Sequence, residues 1–311
     1  MHHFILRRLI YVVITMMGAT ILVFAFSRMA SDPRLLYAQE GGYGITPEQW
    51  EALGREMGLD KPVIVQYFMW LGRAVRGDLG ESLLDRKPVA AVLGERIGNT
   101  LQLALGAWLF ATLTGVPLGV LSAVKRATIW DYLGRGFALL GQTLPVFWIG
   151  IMGILIFSVK LGWLPTGTKP DYISIKHFIM PCISLGWFSA AGYMRLTRSA
   201  MLEVLDAEYI KLARAKGVGA NTILWKHAFK NALIPPLTFS GLIMAAFITG
   251  AVVTESVFAW PGMGRLAFQA VVNNDFPVMT GVVLVFTAGF LLVNLLINIS
   301  YAYLDPRIRY Q

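Results

Sequence analysis

The sequence predicts an all-α polytopic membrane protein with six transmembrane helices, and three observations carry that prediction. First, 56% of the 311 residues are apolar and only 14% are charged, whereas soluble proteins carry roughly a quarter charged residues. That is too little charge to cover a water-facing globule, and a disordered chain would be far less hydrophobic. Second, six windows contain no Asp, Glu, Lys or Arg: 9–27, 99–124, 136–159, 178–194, 231–254 and 276–304. Each is close to or above the roughly 20 residues a helix needs to cross the hydrocarbon core. Third, the excess positive charge has a side. With the N-terminus inside, segments 1–8, 125–135, 195–230 and 305–311 hold 14 basic and five acidic residues, so the whole net charge of +9 falls there. This bias towards short inner loops places both termini in the cytoplasm, since long segments such as 28–98 translocate largely regardless of charge.

The first window follows Arg7 and Arg8 as a signal peptide would, but its apolar run exceeds the roughly 7–15 residues of such a segment. Residues 1–27 therefore read as an N-terminus and a retained first span. Residues 28–98 form an extracytoplasmic insert of short helices. Thr46 caps the first, Pro47 takes its first position and Gln49 closes a capping box; Gly58 stops it. A second helix starts near Asp60-Lys61-Pro62 and carries Val63, Val65, Tyr67, Phe68, Trp70, Leu71 and Ala74, until Gly77-Asp78-Leu79-Gly80 breaks it. A third runs from Pro88 to about Arg96. Such amphipathic pieces suit a cap packed on the bundle, or a platform for an external partner.

Residues 99–304 then hold the five remaining spans. In the second, Gly115 and Gly119 allow close helix contact in lipid. The fourth is the weakest, being short and interrupted by Pro181, Ser184, Gly186 and Ser189. Cys182 stands alone, which excludes an intramolecular disulfide and a cysteine metal site. His2, His3, His177 and His227 fall on no common site. No Gly-Lys dipeptide exists, so the chain has no phosphate-binding P-loop, and residues 305–311 form a short tail.

The loop 195–235 is the most informative part. Residues 195–216 read as one helix, ended by Ala213-Arg214-Ala215-Lys216-Gly217, with basic residues at the C-terminal dipole and glycine as left-handed cap. Asn221 is the expected N-cap of a second short helix, which passes Trp225, His227 and Phe229 and ends at Pro235-Pro236. A nucleic-acid site is excluded because the loop is pinned between two spans. A plain positive-inside loop accounts for the charge, and a docking element for a cytoplasmic protein accounts for both the charge and the glycine hinge. Beyond the fifth span, Glu255 and the Trp260-Pro261-Gly262-Met263-Gly264 turn read as an outer re-entrant or interfacial element, or as a structural turn with tryptophan at the interface.

Tyr209-x3-Ala213-Arg214-Ala215-Lys216-Gly217, followed by His227-Ala228-x2-Asn231-Ala232-x2-Pro235, resembles the coupling loop of ABC importer permeases of the oligopeptide/dipeptide/nickel branch, first permease subunit. Further matches follow in order: Gly58-Leu59-Asp60-Lys61-Pro62, Arg76-Gly77-Asp78-Leu79-Gly80, Asn99-Thr100-Leu101, Leu144-Pro145-x-Phe147, Leu161-Gly162-Trp163-Leu164-Pro165-x-Gly167, Glu255-x-Val257-Phe258-x-Trp260-Pro261-Gly262-x-Gly264, Asp275-x-Pro277 and Leu304-Asp305-Pro306-Arg307. The chain departs from the general importer loop at Lys211-Leu212 and His227, and has Ser31-Asp32-Pro33 where the family often has Gly-Asp-Pro.

The resemblance implies a type I ABC importer permease fold and a pore subunit without enzymatic activity, in a bacterial or archaeal cytoplasmic membrane. It implies a heterodimer with a sister permease, two ATPase subunits that carry the ATP and Mg, and an extracytoplasmic solute-binding protein. Glu208, Tyr209, Ala213, Arg214, Ala215, Lys216, Gly217, Asn221, His227 and Asn231 would form the ATPase-coupling loop. Glu255, Phe258, Trp260, Pro261, Gly262 and Gly264 would form an outer gate or binding-protein contact. The expected cargo is a di- or oligopeptide, with nickel or another small solute as the alternative. A self-sufficient channel or secondary carrier would want buried charges within the spans, and the six windows hold none. A membrane enzyme would need a catalytic constellation, and neither His-Glu-x-x-His nor Gly-x-Ser-x-Gly occurs.

Overall fold

Among the described residues, three helices are long and apolar enough to cross a bilayer, or up to five if each of two bent pairs counts as one span. The computed structural model describes residues 2–30, 34, 46–56, 58–170, 172 and 174–304. Ser31-Asp32-Pro33, residues 35–45 of the expected insert and the tail 305–311 lie outside the described residues. In chain order the helices are α1 (His2–Ala30), α2 (Pro47–Glu56), α3 (Val63–Val75), α4 (Val89–Val124), α5 (Ile129–Thr143) and α6 (Val146–Gly153). They continue with α7 (Ile175–Leu205), α8 (Glu208–Ala215), α9 (Ala220–Ala232), α10 (Ile234–Gly250), α11 (Val252–Val257), α12 (Met263–Val272) and α13 (Phe276–Leu304). They form two compact units, Met1–Ile97 with Leu266–Gln311, and Gly98–Arg265.

In the first unit α1 packs along α13, and α3 lies against α1. The contact is aromatic and polar at once. The buried Thr20 Oγ1 and Tyr67 hydroxyl are 2.8 Å apart, and the Phe24 ring meets Tyr67 edge-on at 5.5 Å and Trp70 at 5.7 Å. The expected capping box is present: Thr46 N donates to Gln49 Oε1 at 3.1 Å, and Gln49 N to Thr46 Oγ1 at 3.3 Å. Further along, Ser82 Oγ donates to the buried Asp275 Oδ2 at 2.6 Å, and Gly281 lies against Val89 and Leu93. Asp275 of the Asp275-x-Pro277 motif is thereby tied to Ser82, two residues past the Arg76–Gly80 motif.

The expected third short helix is not a separate element. It is the first part of α4, which runs unbroken for 36 residues. At 1.5 Å per residue that is about 54 Å, well over the ~30 Å hydrocarbon core, so Gly94 and Gly98 are accommodated inside the helix rather than ending it.

The second unit is built around α7. Its residues from Met180 to Met201 are largely buried, and α5, α6 and α10 pack on it. That position explains its weak apolar signal: a helix lined by protein, not lipid, can carry serines, glycines and a proline. Against α4 it makes a close seam. A Cβ on Gly119 would stand 2.6 Å from Thr197 Cβ, and one on Gly186 would stand 2.7 Å from the Ala107 carbonyl oxygen. Gly115 meets the Ala190 backbone and Tyr193 in the same way. Small residues thus bring the backbones together, as their spacing in the sequence suggests.

The window 136–159 is not one straight helix. α5 and α6 meet at 105° across Leu144-Pro145. Pro145 has no N–H to continue the α5 ladder and disfavours helical backbone at the preceding residue; Leu144 is accordingly extended, at ψ 126°. A seven-residue π-helical stretch, Ile154–Lys160, follows α6. The segment 195–216 also differs from its expected form: α7 continues to Leu205, Asp206-Ala207 breaks it, and α8 is a separate helix. Gly219, not Asn221, is the N-cap of α9, with no side-chain capping bond.

Candidate functional site

Two clusters within the second unit gather the residues singled out by sequence. At the first, α10 ends at Gly250 and α11 carries Glu255 into a fully buried position. Every polar group bonded to its carboxyl is a donor. Thr100 Oγ1 donates to Oε1 at 2.7 Å and Arg265 N to Oε2 at 2.9 Å, so the carboxyl caps the N-terminus of α12. Burial raises its pKa above the ordinary carboxylate value, against the opposing pull of the Thr100 hydroxyl and the amides of Gly264 and Arg265. Thr100 serves both sides, since its oxygen also accepts Met263 N at 2.8 Å.

The Trp260-Pro261-Gly262-Met263-Gly264 turn folds over this carboxyl. A Cβ on Gly262 would collide with it, and one on Gly264 would stand 2.7 Å from Val252 Cα. Trp260 Nε1 donates to the Asn99 carbonyl at 3.0 Å, and Asn99 Nδ2 to the Pro261 carbonyl at 2.9 Å. Phe258 is equally enclosed. Gly150 of α6 and Gly167 of the following loop press against it, and Thr168 N donates to its carbonyl at 2.8 Å. Three motifs scattered over more than 160 residues therefore meet here, with Gly150 of α6 beside them. Glu255, Phe258, Trp260, Gly262 and Gly264 are buried and Pro261 is half-buried, so these residues shape the turn rather than display side chains. Thr100 and Asn99 belong to the same cluster; their sequence motif was visible, but not its partner.

At the other cluster, α8 and α9 hang between α7 and α10. Glu208, Tyr209, Arg214, Ala215, Lys216, Gly217, Asn221 and Asn231 are exposed, while Ala213 and His227 are half-buried. Three of them are braced together: Asn231 Nδ2 donates to the Tyr209 hydroxyl at 3.1 Å and to the His227 carbonyl at 2.8 Å. Gly217 has φ +74°, the left-handed cap expected of it, and Val218 N donates back to the Ala213 carbonyl at 3.1 Å. The inner face of the loop is anchored by Ile210, Ile223, Ala228 and Ala232, packed with Met201 of α7 and with Val120 and Ala123 of α4. The outer face combines the basic residues with two large apolar side chains, Leu212 and Trp225, both more than half exposed.

Beside this anchor lies an ion pair that sequence reasoning missed. Asp131 of α5 is 1% exposed and meets Arg198 of α7 at 2.8 Å. Among the described residues no group of three or more His, Cys, Asp or Glu could hold a metal ion.

The second unit thus holds a buried turn around Glu255 and a braced, basic, partly apolar loop made of α8 and α9. The chain matches the model of the binding-protein-dependent transport system inner membrane component over residues 115–310, and that of the N-terminal part of such membrane components over residues 1–104. It belongs to this family. It is 39% identical to the dipeptide transport system permease protein DppB of Escherichia coli strain K12, over 100% of both chains. It is 37% identical to the DppB of Alkalihalophilus pseudofirmus, over 98% of both, and 39% identical to a putative peptide transport system permease protein of Brucella abortus, again over 98% of both. Its fold is similar to that of a chain from the inward-facing MetNI methionine ABC transporter, with a TM-score of 0.58 at 17% identity, covering 69% of this chain and 96% of that one. The chain is thus an all-α, multi-pass inner-membrane permease component with an ABC importer permease fold, and not an enzyme.

Proposed function

We propose that the chain is the first of two permease subunits of an ATP-driven peptide importer. The observation that carries this reading is identity running the full length of both chains with dipeptide permeases. In this reading α1, α4, the bent α5–α6 pair, α7, α10 and α13 make six crossings of a type I importer fold. Residues 1–27 hold the cytoplasmic N-terminus and first span, 28–98 the extracytoplasmic insert, 99–304 the permease core and 305–311 the cytoplasmic tail. The pore forms between this chain and its sister.

The loop 195–235 docks on one of two ATPase subunits, where ATP and Mg reside, through the exposed residues of α8 and α9. Its apolar anchor to α4 and α7 supports transmission, because motion imposed on α8 is passed to packed helices rather than absorbed by a slack loop. The Glu255 turn works as part of the outer gate. Its burial supports a role in holding the shape of that end while a binding protein delivers solute.

The test is reconstitution of the chain with its sister permease, ATPase subunits and binding protein in proteoliposomes. Labelled dipeptide should accumulate only with ATP and all components present. Uptake of Ni²⁺ in place of peptide, or transport by this chain alone, would overturn the reading.

A further inference from the structure

The buried ion pair between α5 and α7 is used by neither cluster described above. Asp131 accepts four hydrogen bonds: Ser122 Oγ at 2.5 Å, Ala127 N at 3.1 Å, Arg198 Nε at 2.8 Å and Arg198 Nη2 at 3.1 Å. Arg198 Nε also reaches Ser122 Oγ at 3.1 Å, and the half-exposed Arg135 stands 3.5 Å from the same carboxylate. Three helices thus meet at one carboxylate, α4 through Ser122, α5 through Asp131 and α7 through Arg198.

The position of this node is informative. Ser122 is next in sequence to Ala123, which packs in the apolar anchor of the loop, and Arg198 is three residues before Met201 of the same anchor. The anchor itself contains no residue of α5. Apolar contacts are non-directional and let helices slide over one another. A bidentate arginine–carboxylate pair fixes distance and orientation together, and a buried ionic pair is best attested as a device for register. Here the register in question is that of the bent α5–α6 pair against the helices that carry the loop.

We propose that Asp131 and Arg198 are positioning residues that make α5 move as one body with α4, α7 and the ATPase-docking loop. This inference rests on the importer reading above. Without the pair, ATP-driven motion of the loop would still reach α7 but would slip at α5.

The experiment uses the full reconstituted complex and measures uptake, ATP hydrolysis and their ratio. Asp131→Asn should assemble and hydrolyse ATP, with about tenfold more ATP spent per solute imported, in the range by which such couplings shift. Asp131→Asn combined with Arg198→Gln removes the unpaired, half-buried charge that the single variant leaves behind. If the pair only stabilises the fold, the double variant regains wild-type coupling; if it positions α5, the double variant stays uncoupled. Wild-type coupling in the double variant would overturn the proposal, and so would loss of assembled complex in both variants. A wild-type complex that imports no peptide would instead overturn the importer reading, so the two failures are told apart.

Discussion

Replacing Thr100 with valine removes one hydroxyl and keeps the shape of the side chain, and the structure states what that hydroxyl holds. It donates to Glu255 at 2.7 Å and accepts the Met263 amide at 2.8 Å, both buried. The substitution leaves a carboxyl oxygen short of a donor and a backbone N–H without an acceptor. Each unsatisfied buried group costs about 1–3 kcal/mol, and partial relaxation leaves roughly 3 kcal/mol for the pair. At 1.4 kcal/mol per decade, the turn should open about 100-fold more often. Hydrogen–deuterium exchange of the assembled complex reads this directly. Peptides covering 259–266 should exchange about two decades faster, while those of α13 should not change. Thr100→Ser keeps the hydroxyl and should stay near wild type. Unchanged exchange in Thr100→Val, or equal acceleration by Thr100→Ser, would refute the assignment of Thr100 as the link between Glu255 and the turn.

Three further outcomes follow from the geometry. Gly119→Leu places side-chain atoms where a Cβ alone is already 2.6 Å from Thr197; overpacking of about 1–3 kcal/mol should lower the melting temperature of the purified complex, with Gly119→Ala intermediate. Gly217→Pro cannot adopt φ +74° and loses the amide that donates to the Arg214 carbonyl. It should leave the protein in the membrane and ATP hydrolysis intact but abolish uptake; normal uptake would dismiss the loop's coupling role. Trp225→Ala removes a 55% exposed side chain, so thermal stability should hold within about 0.5 kcal/mol while co-purification of the ATPase subunits weakens.

Local features were legible before the structure. The Thr46 capping box, the Gly217 cap and the glycine seam at Gly115 and Gly119 depend on residues a few positions apart, and spacing alone reveals them. Features set by surroundings were not. α7 looked weak because hydropathy reports preference for lipid, whereas its neighbours are other helices. The bend at Leu144-Pro145 was hidden because a window free of charge counts residues without asking whether they stay collinear. Arg198 stands in the sequence only among the 14 basic residues of the inner segments, since nothing periodic links it to an aspartate 67 positions away. Glu255 was found by motif, but its dependence on Thr100 is a property of the folded chain.

The π-helical stretch Ile223–Phe229 in α9 has a consequence for anyone altering the loop. A π turn accommodates extra backbone inside an otherwise α-helical segment. Each residue of an α-helix advances about 100° around the axis. Excising one residue from this stretch would let it return to regular winding with the residues beyond it close to their present phase, whereas excising one from the regular part of α10 would turn everything beyond by about that angle. In the first case Asn231 would still face Tyr209. Single-residue deletions should therefore be better tolerated within Ile223–Phe229 than in the regular helix that follows.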